Sequence, residues 1–125
     1  MPANDLNTTH TTPPSPPFSP FVEAGEFVFV SGQVALDPAI GRIVDGDVTA
    51  QAERAFDNLR AVLESAGKDL RAVVKVTVFL TDMDDYAAMN AVYARRFTAP
   101  YPARSAIAVK ALPLGARIEI ECVAR

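Results

Sequence analysis

With 125 residues, the chain has room for one hydrophobic core of ordinary size and not for two. Half of its residues are hydrophobic and 22% are charged, enough apolar material for a packed globule, while a net charge of −3 without clustered Lys and Arg argues against a nucleic-acid partner. A lone cysteine, Cys122, excludes an intrachain disulfide framework and a Cys-rich metal site; without a leader-like N-terminus or an apolar run approaching about 18 residues, the chain reads as cytoplasmic with no membrane partner.

Residues 1–17 mix Thr, Asn and Pro with almost nothing apolar and are expected to form a mobile tail. A single domain then runs from Phe18 to Arg125. Phe21-Val22-Glu23 and Glu26 to Ser31 read as two strands turning tightly at Gly25. In the second, Phe27, Phe29 and Ser31 share one face, and Val28 and Val30 the other. Asp37-Pro38 and Gly41 mark a turn before a short strand at Arg42-Ile43-Val44. From Val48 to Ala66 the apolar positions recur at spacings of three and four, which predicts a helix capped by Asp47 or Thr49 and ended at Gly67.

Val73 to Leu80 is β-branched and nearly all apolar, as a central strand covered on both sides requires. Thr81 and Asp82 offer caps for a second helix reaching about Phe97, where Pro100 and Pro102 prevent continuation. Strands at Arg104–Val109 and Arg117–Val123 complete the order ββ(β)αβαββ. That order indicates an α/β sandwich, an α+β arrangement of a mixed sheet with two helices on one face. The other face keeps apolar rows without cover, which suggests self-association.

If the last two strands form an antiparallel hairpin about Leu112-Pro113, Ile107 faces Ile118, Ser105 faces Ile120, and Arg104 lies directly opposite Glu121. Alternation then puts Ser105, Ile107, Val109, Ile118, Ile120 and Cys122 under the helices. Arg104, Ala106, Ala108, Arg117, Glu119 and Glu121 fall on the open face. A guanidinium can grip a substrate carboxylate through two parallel hydrogen bonds, and a nearby carboxylate can orient or deprotonate a water. The same pair also fits an ordinary cross-strand ion pair, and the pattern by itself leaves both readings open.

Val30-Ser31-Gly32-Gln33, Tyr101-Pro102-Ala103-Arg104-Ser105 and Ile118-Glu119-Ile120-Glu121 resemble motifs of the RidA/YjgF family. The resemblance extends over residues 18–125 and takes in the first helix and the central strand. It implies a chorismate-mutase-like fold and a homotrimer with sites in the clefts between subunits. It also implies hydrolysis of reactive enamines and imines of the 2-aminoacrylate/2-iminopropanoate type to 2-keto acids and ammonia, with no metal or organic cofactor. By position, Arg104 resembles the family's carboxylate-binding arginine and Glu121 the glutamate that positions water, while Ser31 and Asn90 match pocket positions.

Phe21 stands where archetypal members carry a tyrosine and Ala106 where they carry a cysteine. Both changes remove polar groups, which should alter substrate fit more than the hydrolytic step. Cys122, turned toward the helices by alternation, reads as a packing thiol. His10, the only histidine, sits in the expected tail, where it has no rigid neighbours to make a triad or a metal site. The competing functions are a pathway-specific relative acting on aminoacrylate- or aminomuconate-like intermediates, a ribonuclease or translation inhibitor, and a non-catalytic metabolite-binding or chaperone module.

Overall fold

A computed structural model describes residues 16–125; the expected tail falls almost wholly outside them, as does His10. The chain begins with a hairpin, β1 (Phe21–Ala24) and β2 (Phe27–Gln33), turning at Gly25, whose φ of +62° glycine adopts without steric cost. A separate small hairpin follows, β3 (Leu36–Asp37) with β4 (Arg42–Ile43). The first helix, α1, occupies Val48–Ser65; the Asp47 carboxylate accepts from Ala50 N at its start, and Gly67 follows its end with φ +78°. The remaining elements are β5 (Val73–Leu80), α2 (Tyr86–Arg96), β6 (Ala103–Ala108) and β7 (Ile118–Ala124).

Both helices pack on one face of a five-stranded sheet, giving the expected α/β sandwich. Phe56, Leu59 and Leu63 of α1 meet Val76, Val78, Leu80, Ile118 and Ile120 of the sheet, all with no exposed surface. Phe56, Tyr93 and Phe97 form an aromatic cluster between the helices, with ring centroids 4.7–5.9 Å apart. At the surface Arg95 and Arg96 of α2 both hold Glu53 of α1 and keep its carboxyl below the usual range, chiefly through the Arg95 hydrogen bond. Cys122 is buried under the helices as expected, and burial pushes its thiol up to about 12.

Strand order overturns one expectation. The sheet runs β1-β2-β7-β5-β6, with β5 between β6 and β7, so the last two strands are not a hairpin. α2 carries the chain back over the sheet, and β6 lies parallel to β5, as a strand–helix–strand unit favours. Residues 109–117 then cross the end of β5 so that β7 can pair antiparallel with both β5 and β2. Ile107 therefore meets Phe79 and not Ile118; Ser105 meets Thr77 and not Ile120.

The faces of β6 are reversed as well. Arg104, Ala106 and Ala108 align with Val76, Val78 and Leu80, which are covered by the helices, so these three lie on the helix side. Ser105 and Ile107 lie on the open face. On β7 the expected faces hold: Ile118, Ile120 and Cys122 are buried, and Glu119 and Glu121 point the other way. Arg117, expected beside those glutamates, instead binds Asp85 at the start of α2 with bonds of 2.9 and 3.0 Å.

The open face carries a broad apolar surface. Val22, Phe27, Phe29 and Ile107 stand there exposed, Phe29 at 47%, apolar side chains of the kind that association with another protein surface covers.

Candidate active site

Arg104 is on the edge strand β6, and parallel pairing aims its side chain at α2. There Nη1 donates to Asn90 Oδ1 at 2.7 Å and Nη2 to Tyr86 Oη at 3.0 Å. The guanidinium carbon lies 4.7 Å from the centre of the Tyr93 ring and 5.6 Å from that of Tyr86, both within cation–π range. Asn90 and Tyr86 share a helix face because they are four residues apart, and Tyr93 continues it. Since arginine can only donate, the Asn90 atom facing it must be the oxygen.

Among the described residues Arg104 makes no ion pair. Its side chain is half-buried, fixed by neutral acceptors and aromatic rings, and its charge is left unmatched. Such an arrangement can receive an anion, because the guanidinium is oriented in advance and has no countercharge among the described residues. Ala106 follows on the same face, packed against the core. Tyr93 supplies the floor of this cluster; its hydroxyl is buried without a hydrogen-bond partner, and burial raises its pKa against the opposing Arg104 charge.

Glu121 occupies the other face. It aligns with Thr77 of β5, while Arg104 aligns with Val76, so the two side chains leave the sheet in opposite directions. With Ser31, Lys75, Thr77 and Phe29, Glu121 lines an open depression of about 430 Å³. Like Arg104, it makes no ion pair among the described residues. The Ser31 hydroxyl donates to Ser19 O at 2.6 Å, so its proton is already engaged within the chain.

Gly32 and Glu119 extend this face into a larger apolar hollow of about 880 Å³ that also holds Phe18, Pro20 and Leu114. A Cβ on Gly32 would collide with the Glu119 carboxylate where it now lies, so the glycine lets that side chain rest close against the strand. Burial, and secondarily the Glu121 charge, hold the Glu119 carboxyl above its usual range.

The sequence-predicted residues therefore form two groups in one chain. Arg104, Asn90 and Ala106 come together on the helix side of the β6 edge; Ser31 and Glu121 come together on the open face. Phe21 joins neither. It lies on β1 at the opposite sheet edge, aligned with buried Val30 and packed against the core. The contact of Tyr86 with Arg104 was not anticipated, although the helix row 86, 90, 93, 97 contained it; what was missing was that β6 runs beneath that row.

An α/β sandwich with a pre-oriented arginine at one sheet edge and, among the described residues, an unpaired glutamate on its open face has the residues to bind a small anionic molecule and activate a water. The sequence profile of the family described as Endoribonuclease L-PSP matches residues 8–125. Protein DfrA of Myxococcus xanthus is 52% identical over 103 residues, 82% of this chain and 79% of that protein. The 2-iminobutanoate/2-iminopropanoate deaminase of Mus musculus is 42% identical over 95% of this chain and 88% of its own length. The crystal structure of RidA from an Antarctic Psychrobacter superposes with a TM-score of 0.84 at 41% identity, covering 90% of both chains. The chain belongs to the RidA/YjgF family.

Proposed function

We propose that this RidA-type imine deaminase acts on 2-imino acids of the 2-iminopropanoate type, formed by tautomerisation of 2-aminoacrylate-like enamines, and hydrolyses them to 2-keto acids and ammonia. The observation that carries the reading is Arg104: a cation oriented by Asn90 and Tyr86, with no carboxylate of its own among the described residues, is suited to hold the substrate carboxylate. The deaminase name of the 42%-identical mouse protein agrees in substrate class.

The reaction needs a group that takes a proton from water, and Glu121 fills that role. Because Arg104 and Glu121 leave opposite faces of the sheet, a single chain does not present both to one small ligand. We therefore assign the site to a cleft between subunits of a homotrimer, with Arg104 from one chain and Glu121 from the next. The exposed apolar face carrying Phe29 and Ile107 supplies surface for that association.

Arg104 fixes the imino acid by its carboxylate. Glu121 accepts a proton as water adds to the imine carbon, and the nitrogen is protonated as the C=N π bond breaks. The resulting carbinolamine collapses as its hydroxyl proton is passed to the amino nitrogen, the C=O bond forms and the C–N bond breaks, releasing ammonia and the keto acid. Ala106, beside Arg104 on β6, lacks the polar atom that archetypal members carry there, a change expected to alter substrate fit more than the hydrolytic step.

The test couples the purified chain to a serine or threonine dehydratase and follows keto-acid release in a buffer where spontaneous imine hydrolysis is slow. Acceleration that disappears with Arg104→Ala and with Glu121→Ala is expected; equal rates with wild type, Arg104→Ala and no protein would refute the reading.

A further inference from the structure

The polar groups around Arg104 hold one further capacity. Arginine nitrogens only donate, so Tyr86 Oη accepts from Nη2 at 3.0 Å, and a phenol that accepts from a cation turns its own O–H away from it. Among the described residues the Tyr86 proton meets no acceptor. The side chain begins α2 and is 38% exposed, so the hydroxyl opens to solvent beside the guanidinium. An anion placed on the free N–H groups of Arg104 lies next to that O–H.

We propose that Tyr86 is a substrate-binding residue that donates its hydroxyl to the carboxylate held by Arg104, adding a third hydrogen bond to the anchor. The proposal rests on the carboxylate-anchoring role given to Arg104 above. A phenylalanine would keep the ring 5.6 Å from the guanidinium but lose both the free O–H donor and the oxygen that accepts from Arg104 Nη2, so the test has to separate the two. The consequence is selectivity: Tyr86 favours imines that carry a carboxylate next to the C=N carbon.

Tyr86→Phe tests this in the intact assembly. With dehydratase-generated imine, KM should rise about five- to tenfold and kcat stay within about twofold, the signature of a lost binding contact. Binding of 2-oxobutanoate, measured by calorimetry, should weaken by the same factor at unchanged melting temperature. A hydroxyl that merely steadies Arg104 is separated by repeating the calorimetry in an Arg104→Lys background. Further weakening there by Tyr86→Phe supports direct donation; no further change overturns it. An active wild type with Tyr86→Phe unchanged in KM and in binding also overturns it, while leaving the deaminase reading intact. A wild type without deaminase activity refutes that reading, and the calorimetry still decides on Tyr86.

Discussion

Replacing Arg104 separates its two kinds of contact. Within the chain it donates to Asn90 and Tyr86 and covers Tyr93; toward a ligand it offers its remaining N–H groups. The internal contacts are part-exposed and neutral on the acceptor side, so Arg104→Ala should lower stability by no more than about 2 kcal/mol. Two charge-assisted hydrogen bonds to a substrate carboxylate contribute about 3–4 kcal/mol together. At about 1.4 kcal/mol per factor of ten, kcat/KM should fall roughly 10²- to 10³-fold. Arg104→Lys keeps the charge but cannot span Asn90, Tyr86 and a carboxylate at once, so it should lie between, about 10- to 100-fold down. The assay is coupled keto-acid release beside thermal melting. Activity in Arg104→Lys equal to wild type, or loss of activity in Arg104→Ala matched by global unfolding, would refute the reasoning.

Tyr93→Phe removes a buried hydroxyl without a partner and should leave stability unchanged or raise it by about 1 kcal/mol; a melting temperature several degrees lower would show that the hydroxyl is satisfied. Glu119 has a carboxyl pKa raised by burial and by Glu121, so its contribution to stability is present below the unfolded carboxylate range and is lost as pH rises through its folded pKa. Glu119→Gln should therefore melt above wild type at pH 7, and the gap should close toward about pH 4; a gap that widens on acidification would contradict the assignment. Phe29→Glu places a charge on the exposed apolar face and should shift the chain to monomer by light scattering, with activity lost but helical and sheet signals kept. An active, assembled variant would remove that face from the interface.

Much of the architecture was legible because single elements announce themselves. The three-and-four spacing of α1, the β-branched run of β5 and the Gly25 turn match the structure within a residue or two. Pairing was not legible. Alternation separates a strand into two rows, but it does not name the neighbour or say which row is covered. In β6 the assumed hairpin register put Ile107 in the covered row, yet Ile107 is 46% exposed, because its face is the one left open in a single chain. Ala106 and Ala108 lie on the helix side instead, aligned with Val78 and Leu80. Arg104 was thus found by the motif around it and misplaced by the pattern, and the hairpin placed Glu121 beside it in the wrong sense: adjacency within one chain where the sheet separates them. Tyr86 escaped notice because its hydroxyl matters only once β6 is known to lie beneath it.

The division of the site between chains has a direct measurement. Arg104→Ala and Glu121→Ala chains, each inactive alone, are unfolded or dissociated together, reassembled at equal ratio and assayed for imine hydrolysis. If each site takes Arg104 from one subunit and Glu121 from its neighbour, random assembly restores both residues at about one cleft in four, and activity should return to about a quarter of the wild-type value. Mixed assemblies, verified by mass, that stay as inactive as the separate variants would contradict the intersubunit site.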